Sequence, residues 1–324
     1  MKKFISLLIV LTLSLSLVAC NSRISEDSNS ETKENNIVIE HTAGTTILEK
    51  PAKRVVALDW IYGEIMLALG IQPVGMSDID GYTTWMNPGD VNLDGVADLG
   101  ARGSASIEEI AALNPDLIIT PDYYEYDYNL LSEIAPTIVL TPYPGEAYPT
   151  GEYDHMIESI DIMGKVLGLE DDAKKVIDSL EKTYEEASKK LQESDINFNY
   201  IELIDFSTDD TVSLYMFTDS SIHTSILEKI GFKNMYKPKK FELYGQTNIN
   251  VENLVGLDEY TVFMIANKGE DVFSKNLISE KVLNSLDFYV NNNIYYLGKN
   301  ASPFGPLSTK TFVETVVEVV TQND

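Results

Sequence analysis

Short β-branched runs alternate with stretches of three- and four-residue apolar spacing along most of this chain. Residues 37–40 and 45–48 flank Ala43-Gly44 and predict a hairpin. Residues 54–59 (RVVALD), 73–76, 116–120 (DLIIT) and 137–140 read as strands. Between them, residues 64–69 closed by Gly70, residues 106–113 and residues 129–135 read as helices. Ser104 or Ser106 caps the second of these, and acids fill its first turn. Strand–helix alternation of this kind predicts an α/β unit with a mostly parallel sheet.

A long helical stretch follows. Residues 154–167 end at Gly168. Residues 171–192 then carry Val176, Leu180, Tyr184, Ala187 and Leu191 on one stripe, with charge elsewhere. At about 1.5 Å per residue that helix spans roughly 33 Å, the width of a small domain. It reads either as a surface helix or as a connector, because a second α/β run starts beyond it. Residues 198–204, 212–217, 261–265 and 294–297 predict strands there, and 221–230, 251–257, 277–286 and 307–320 predict helices. The second run partly repeats the first. Ser106-Ile107-Glu108 through Ile119 lines up with Asn250-Val251-Glu252 through Phe263, each a polar cap, a glutamate, an apolar stripe, a turn and a strand. Two related lobes leave a cleft, the usual place for a small ligand.

The chain's start adds export to this picture. Lys2 and Lys3 precede an apolar run, residues 4–18, too short for a spanning helix. It ends in Leu17-Val18-Ala19-Cys20, which holds the chain's single cysteine and is similar to the lipobox of bacterial lipoproteins. On that likeness residues 1–19 are a signal peptide and Cys20 carries the lipid. Residues 20–36 are polar and read as a flexible tether. The expected organisation continues with an N-terminal α/β lobe at 37–153, a helical connector at 154–193 and a C-terminal α/β lobe at 194–324. Twenty-four basic residues against 51 acidic, net −27, argue against a nucleic-acid surface or a polybasic membrane patch. A single cysteine excludes an intramolecular disulfide framework, and three separated histidines make no metal motif. No phosphate loop, H-E-x-x-H, G-x-S-x-G or C-x-x-C is present, so nothing positive supports an enzyme.

What remains is scarce arginine and clustered aromatics. The arginines are Arg23, Arg54 and Arg102. Arg102, in Gly100-Ala101-Arg102-Gly103-Ser104, reads as a fixed donor fork for an oxygen-rich ligand or as a surface arginine paired with an acid. Trp60 follows a strand end, where α/β folds present ligand residues, and otherwise reads as packing. Trp85 lies in a stretch that reads as irregular. Residues 122–128, Asp-Tyr-Tyr-Glu-Tyr-Asp-Tyr, are too polar for core. They read as a cleft mouth, as oxygen ligands for a hard metal ion, or as a solvated loop.

Lys53-Arg54-Val55-Val56-Ala57-Leu58-Asp59-Trp60, then Glu64 and Leu67-Ala68-Leu69-Gly70-Ile71-Gln72-Pro73-Val74-Gly75, resembles the opening of the siderophore/cobalamin class of solute-binding proteins of ATP-driven importers. The 106–120 segment and Ile134-Ala135-Pro136-Thr137 are similar to the same family. The resemblance implies two Rossmann-like α/β lobes joined by one long rigid helix, with the ligand cleft between them. It implies that Glu108 and Glu252, one per lobe, dock against arginines of an ABC permease. Within the family the resemblance runs to the ferric hydroxamate binders. It then assigns Arg102 and Tyr124 as donors to hydroxamate oxygens and Trp85 as a wall on the siderophore frame. Tyr244 and Phe304, each beside a glycine, become C-lobe pocket residues, and Trp60 joins the site. Tyr244 and Ser302 stand where that likeness expects tryptophans. The net negative charge with one cleft arginine favours a neutral or cationic trihydroxamate over a highly anionic chelate. The implied protein is a monomeric, lipid-anchored binder on the outer face of the cell membrane, without cofactor or directly held metal. It would carry a ferric siderophore as cargo. Cobalamin, haem, ferric citrate or another chelate, a sensor or adhesin role, and direct ferric-ion binding through Tyr123 and Tyr124 stay open beside it.

Overall fold

A computed structural model describes residues 36–143, 145, 151–257, 260–275 and 277–322. The signal-peptide and lipidation readings, Cys20 included, lie outside the described residues. A hairpin of β1 (Ile37–His41) and β2 (Gly44–Leu48) leads in. Then come β3 (Val55–Ala57), α1 (Trp60–Ala68), β4 (Gly75–Met76), α2 (Ile79–Trp85), β5 (Ala97–Asp98) and α3 (Ile107–Ala112). The first half closes with β6 (Leu117–Pro121), α4 (Tyr128–Ile134) and β7 (Thr137–Leu140). Its five strands form a sheet in the order β5-β4-β3-β6-β7, parallel throughout. The order reverses between β3 and β6, so a crevice opens past their C-terminal ends.

The chain leaves this sheet through α5 (Glu152–Leu167) and the 22-residue α6 (Glu170–Leu191), folded back on each other at Gly168. Gly168 has φ +68, a left-handed C-cap that glycine adopts without strain. The second half contains β8 (Asn199–Asp205), β9 (Leu214–Phe217), α7 (Ile222–Lys229), β10 (Lys233–Asn234) and β11 (Gln246–Ile249). A single 3₁₀ turn at Val251–Leu254 precedes β12 (Thr261–Ile265), α8 (Glu280–Leu283), α9 (Asp287–Val290), β13 (Ile294–Tyr296) and α10 (Pro306–Thr321). Its sheet runs β11-β9-β8-β12-β13, with β10 paired to the start of β8. Pairing is parallel among β10, β8, β12 and β13, and antiparallel for β9 and β11.

Strand alternation sorts the core into layers. Val55, Ala57, Leu117 and Ile119 from the first sheet and Tyr200, Ile204, Phe263 and Ile265 from the second face one continuous core with α1, α5, α6, α7 and α10. The opposite faces pack separately, Val56, Leu58 and Ile118 under α3 and α4, and Ile201, Leu203, Val262 and Met264 under α8 and α9. Both sheets thus rest on one helical layer. Among the described residues no helix is long and apolar enough to cross a membrane.

Several elements differ from the sequence expectation. The helix read as 64–69 starts at Trp60, because α1 is buried nearly all round and has no polar stripe to mark its first turn. Trp85 lies at the end of α2, not in irregular chain; Gly81, Thr83 and Thr84 give that helix poor propensity, and Asp78 supplies its cap. The helix read at 251–257 is the 3₁₀ turn alone, since Val255 is extended and Gly256 takes φ +84. Residues 277–286 hold only the four-residue α8, with α9 starting past them.

Candidate functional site

The crevice between β3 and β6 is built around Asp59. Its backbone is extended, and Oδ1 accepts the Ile61 N–H at 3.2 Å, capping α1. Oδ2 accepts the hydroxyls of Tyr123 at 2.9 Å and Tyr124 at 2.5 Å, both on the loop past β6. Arg102 Nη1 stands 3.7 Å from the same oxygen. The carboxyl is fully buried, and that burial pushes its pKa up. The nearby guanidinium and the hydrogen bonds oppose the shift without cancelling it. Burial and the Asp59 charge raise both tyrosines well above the usual phenol range, so their protons stay on.

Arg102 reaches this point on a loop turned by Gly100 (φ +75) and Gly103 (φ +77). A Cβ on Gly103 would meet the Tyr124 ring at 3.0 Å, so glycine there serves both backbone and packing. The guanidinium carbon lies 3.6 Å over the Trp60 ring and 6.0 Å from the Phe304 ring. Trp60 is itself 4% exposed, and its indole N–H donates to the Asp78 carbonyl at 2.9 Å. The Asp78 N–H in turn donates to the Gly100 carbonyl at 2.8 Å, which ties the arginine's loop to its platform. Such a stacked, buried-edge guanidinium keeps one face of its donor fork for a ligand. Arg102 retains 32% side-chain exposure.

Aromatic contacts carry the site across to the second sheet. Tyr123 packs on Tyr143 at 5.2 Å, and Tyr143 meets Tyr244 edge-on at 5.3 Å. On another side Trp85 meets Phe206 at 6.4 Å, and Phe206 meets Tyr215 at 5.8 Å. Trp85, Phe206 and Tyr244 are 45%, 44% and 56% exposed, unusual for such large rings. Rings of the first half therefore meet rings of the second at two places, Tyr143 on Tyr244 and Trp85 on Phe206. Below it, Glu64 accepts the Ser308 N–H at 2.7 Å, the Ser308 hydroxyl at 2.9 Å and the Tyr82 hydroxyl at 3.1 Å, joining α1 to the start of α10.

Of the residues singled out in the sequence, Trp60, Arg102, Tyr124 and Phe304 come together. Phe304 packs on Trp60 at 6.2 Å. Tyr244 joins them through Tyr143, and Trp85 stands opposite Phe206. The Tyr124 proton points to Asp59. Glu108 and Glu252 are exposed at the starts of α3 and the 3₁₀ turn, outside the cluster. Glu108 accepts the Ser106 hydroxyl at 2.9 Å and its pKa is lowered, first by its own backbone N–H. Sequence reading missed Asp59, Tyr143 and Phe206. The available signal was position, since each stands one to three residues past a strand's C-terminal end, where α/β sheets place ligand groups.

The model of the periplasmic binding protein family matches residues 55–301. The chain belongs to that family. This periplasmic binding protein is 29% identical over 312 residues to YhfQ of Bacillus subtilis, assigned to the substrate-binding lipoproteins of ABC transporters, covering 92% of this chain and 91% of the relative. It is 27% identical over 274 residues to the Fe(3+)-citrate-binding protein YfmC of the same organism, covering 83% and 82%. Its fold matches the Fe3+–Desferal-bound siderophore-binding protein FhuD of Vibrio cholerae with a TM-score of 0.72 at 22% identity, over 83% of this chain and 97% of that one. The two-lobe α/β architecture is thus common to both.

Proposed function

We propose that this protein is the substrate-binding component of an ABC importer and captures a ferric siderophore, of hydroxamate type, in the cleft above Arg102. The observation that carries the reading is the guanidinium laid 3.6 Å over Trp60 and 6.0 Å from Phe304, with 32% of the side chain still exposed. In a siderophore complex the chelator fills the iron coordination sphere. The protein therefore needs donors for the chelator's oxygens and flat apolar walls for its frame. Arg102 supplies the donors. Tyr124 contributes its ring and a hydroxyl able to exchange Asp59 for a ligand oxygen. Trp60, Trp85, Tyr244 and Phe304 supply walls. Tyr123 and Tyr124 both donate to Asp59, so a bare ferric ion would have to displace those bonds as well as the protons, and the reading takes a preformed chelate as the ligand.

The rest of the proposal follows from this role. Residues 37–153 and 194–324 act as two lobes on the 154–193 helices. Glu108 and Glu252, both exposed at the starts of helical turns, dock on cations of the permease. A lipid on Cys20 holds the monomeric protein at the extracellular face of the membrane after residues 1–19 are removed. Relatives of this chain include a citrate binder, so the hydroxamate preference rests on the charge and donor count of this cleft.

Both tryptophans of the chain belong to the site, so their fluorescence reports occupancy. Titration with a ferric trihydroxamate, ferric citrate, a ferric catecholate, haem, cobalamin and free ferric ion is the test. The expected result is tight quenching by the trihydroxamate, weakened about 10- to 100-fold by Arg102→Ala, the range for a lost charged hydrogen bond. Preference for citrate or catecholate would keep the importer and discard the hydroxamate. Quenching by none of the panel in folded protein would sink the siderophore reading.

A further inference from the structure

The Asp59 carboxylate does more than cap a helix. Capping uses Oδ1 alone, which takes the Ile61 N–H. Oδ2 is turned the other way, toward Tyr123, Tyr124 and Arg102. Its side chain is fully buried, while that of Arg102 is 32% exposed. Two tyrosines and a backbone N–H thus hold a buried carboxyl behind Arg102, the one arginine placed here among the described residues. Asparagine caps helices as well as aspartate does, so capping gives no reason for a charge at this position. The arrangement does give one. Resting on the siderophore reading above, we propose that Asp59 is a positioning residue that sets the charge class of the ligand. By pairing with Arg102 it makes the cleft cation half of a neutral pair, so that the site selects ferric chelates of low net charge.

The physical argument concerns what a ligand meets at the open face of Arg102. It finds the guanidinium donors first, and behind them the compensating carboxylate. Hydrogen bonds to the donors survive, because they are short-ranged. The longer-ranged attraction for a multiply charged anion is largely cancelled. A ferric trihydroxamate carries three single negative charges on Fe3+ and is neutral. A ferric tris-catecholate carries six on the same ion and is trianionic. Both are octahedral oxygen complexes, so they differ mainly in the property that Asp59 would read. At the dielectric of a half-exposed cleft, one uncompensated charge some 7 Å away changes affinity by roughly five- to tenfold per unit of ligand charge. Among the described residues no other arginine serves the site, since Arg54 donates to the carbonyls of Leu113 and Asn114.

The test compares both probes on the wild-type protein, Asp59→Asn and Asp59→Glu. Asp59→Ser, which keeps a capping oxygen and removes the charge, is the second variant should asparagine disturb the tyrosines. Circular dichroism and melting temperature confirm that each is folded. Asp59→Asn is expected to improve the tris-catecholate affinity relative to the trihydroxamate at least tenfold. That gain should shrink between 0.05 and 0.5 M salt, and Asp59→Glu should restore the wild-type ratio. A merely structural role would weaken both probes together and leave their ratio and its salt dependence unchanged, which would overturn the proposal. A second readout needs no ligand. Dicarbonyl reagents attack the neutral guanidine, and a neighbouring carboxylate keeps the proton on. Arg102 labelling, followed by mass spectrometry with Arg54 as internal reference, should therefore rise severalfold in Asp59→Asn. Failure of the wild type to bind either probe would count against the siderophore reading. The labelling would still decide the charge pairing, because an unchanged Arg102 rate refutes it.

Discussion

Glu152 shows what a single carboxyl can cost. It opens α5, and its Oε2 accepts the Ile222 N–H at the start of α7 at 2.9 Å. Oε1 is buried and has no hydrogen-bond partner among the described residues. Burial lifts this carboxyl from 4.5 to about 8, and the Ile222 bond opposes the shift only in part. Between those two values the folded chain keeps a proton that the unfolded chain has released. Stability therefore falls as pH rises through that window, and the penalty is complete above it. Glu152→Gln keeps an acceptor for Ile222 and removes the penalty. Its melting temperature should exceed that of the wild type by about 2–5 °C at pH 8.5 and match it closely at pH 4.5. Equal differences at the two pH values would contradict the assignment. At this scale the arginine, both tryptophans and Tyr124 stand out in the sequence, because their types and neighbours are unusual. Asp59 and Glu152 stayed hidden because 51 acids look alike in a string. Only burial separates these two from the solvated majority.

Among the elements, α1 and α10 are tied by one buried side chain. Glu64 on α1 takes two bonds from Ser308 near the start of α10 and one from Tyr82 on α2. A carboxylate at a helix start is favoured by the unpaired N–H groups and the dipole there. The fit is close, because a Cβ on Gly305 would lie 2.8 Å from the Glu64 carboxyl. Glu64→Ala leaves the Ser308 and Tyr82 donors buried without an acceptor. It should cost about 2–4 kcal/mol in urea unfolding, and Glu64→Gln clearly less. A loss below about 0.5 kcal/mol for the alanine variant would show that the tie is unimportant. Elements such as β7 and β12 were legible because fully buried strands read as unbroken apolar runs. The two-residue strands β4, β5 and β10 are set by their neighbours in the sheet, and no local pattern marks β5 or β10. The internal repeat was real as a cap and a glutamate, yet one copy is a helix and the other a single 3₁₀ turn. Capping chemistry fixes where a turn begins and says little about how far it continues.

For the whole molecule, the decisive feature is the core shared by both sheets. Phe312 of α10 is 1% exposed and lies 5.3 Å from the His223 ring of α7, within the cluster that also contains Val55 and Ala57 of the first sheet. Removing it should lower the stability of everything resting on that layer. Calorimetry is expected to show one transition in the wild type. Phe312→Ala should shift it intact, at a cost of about 3–5 kcal/mol. Two resolved transitions, with only one moved, would mean that the halves unfold independently. The same layer bears on how relatives with this architecture come to differ in what they hold. Exchanging one half between two such proteins by recombination would mismatch many of the buried side chains on α1, α5, α7 and α10 at once. Single substitutions in the loops past the strand ends touch far fewer of them. A change of one lobe alone is therefore expected to cost stability across the shared layer, while a change at a strand end costs far less.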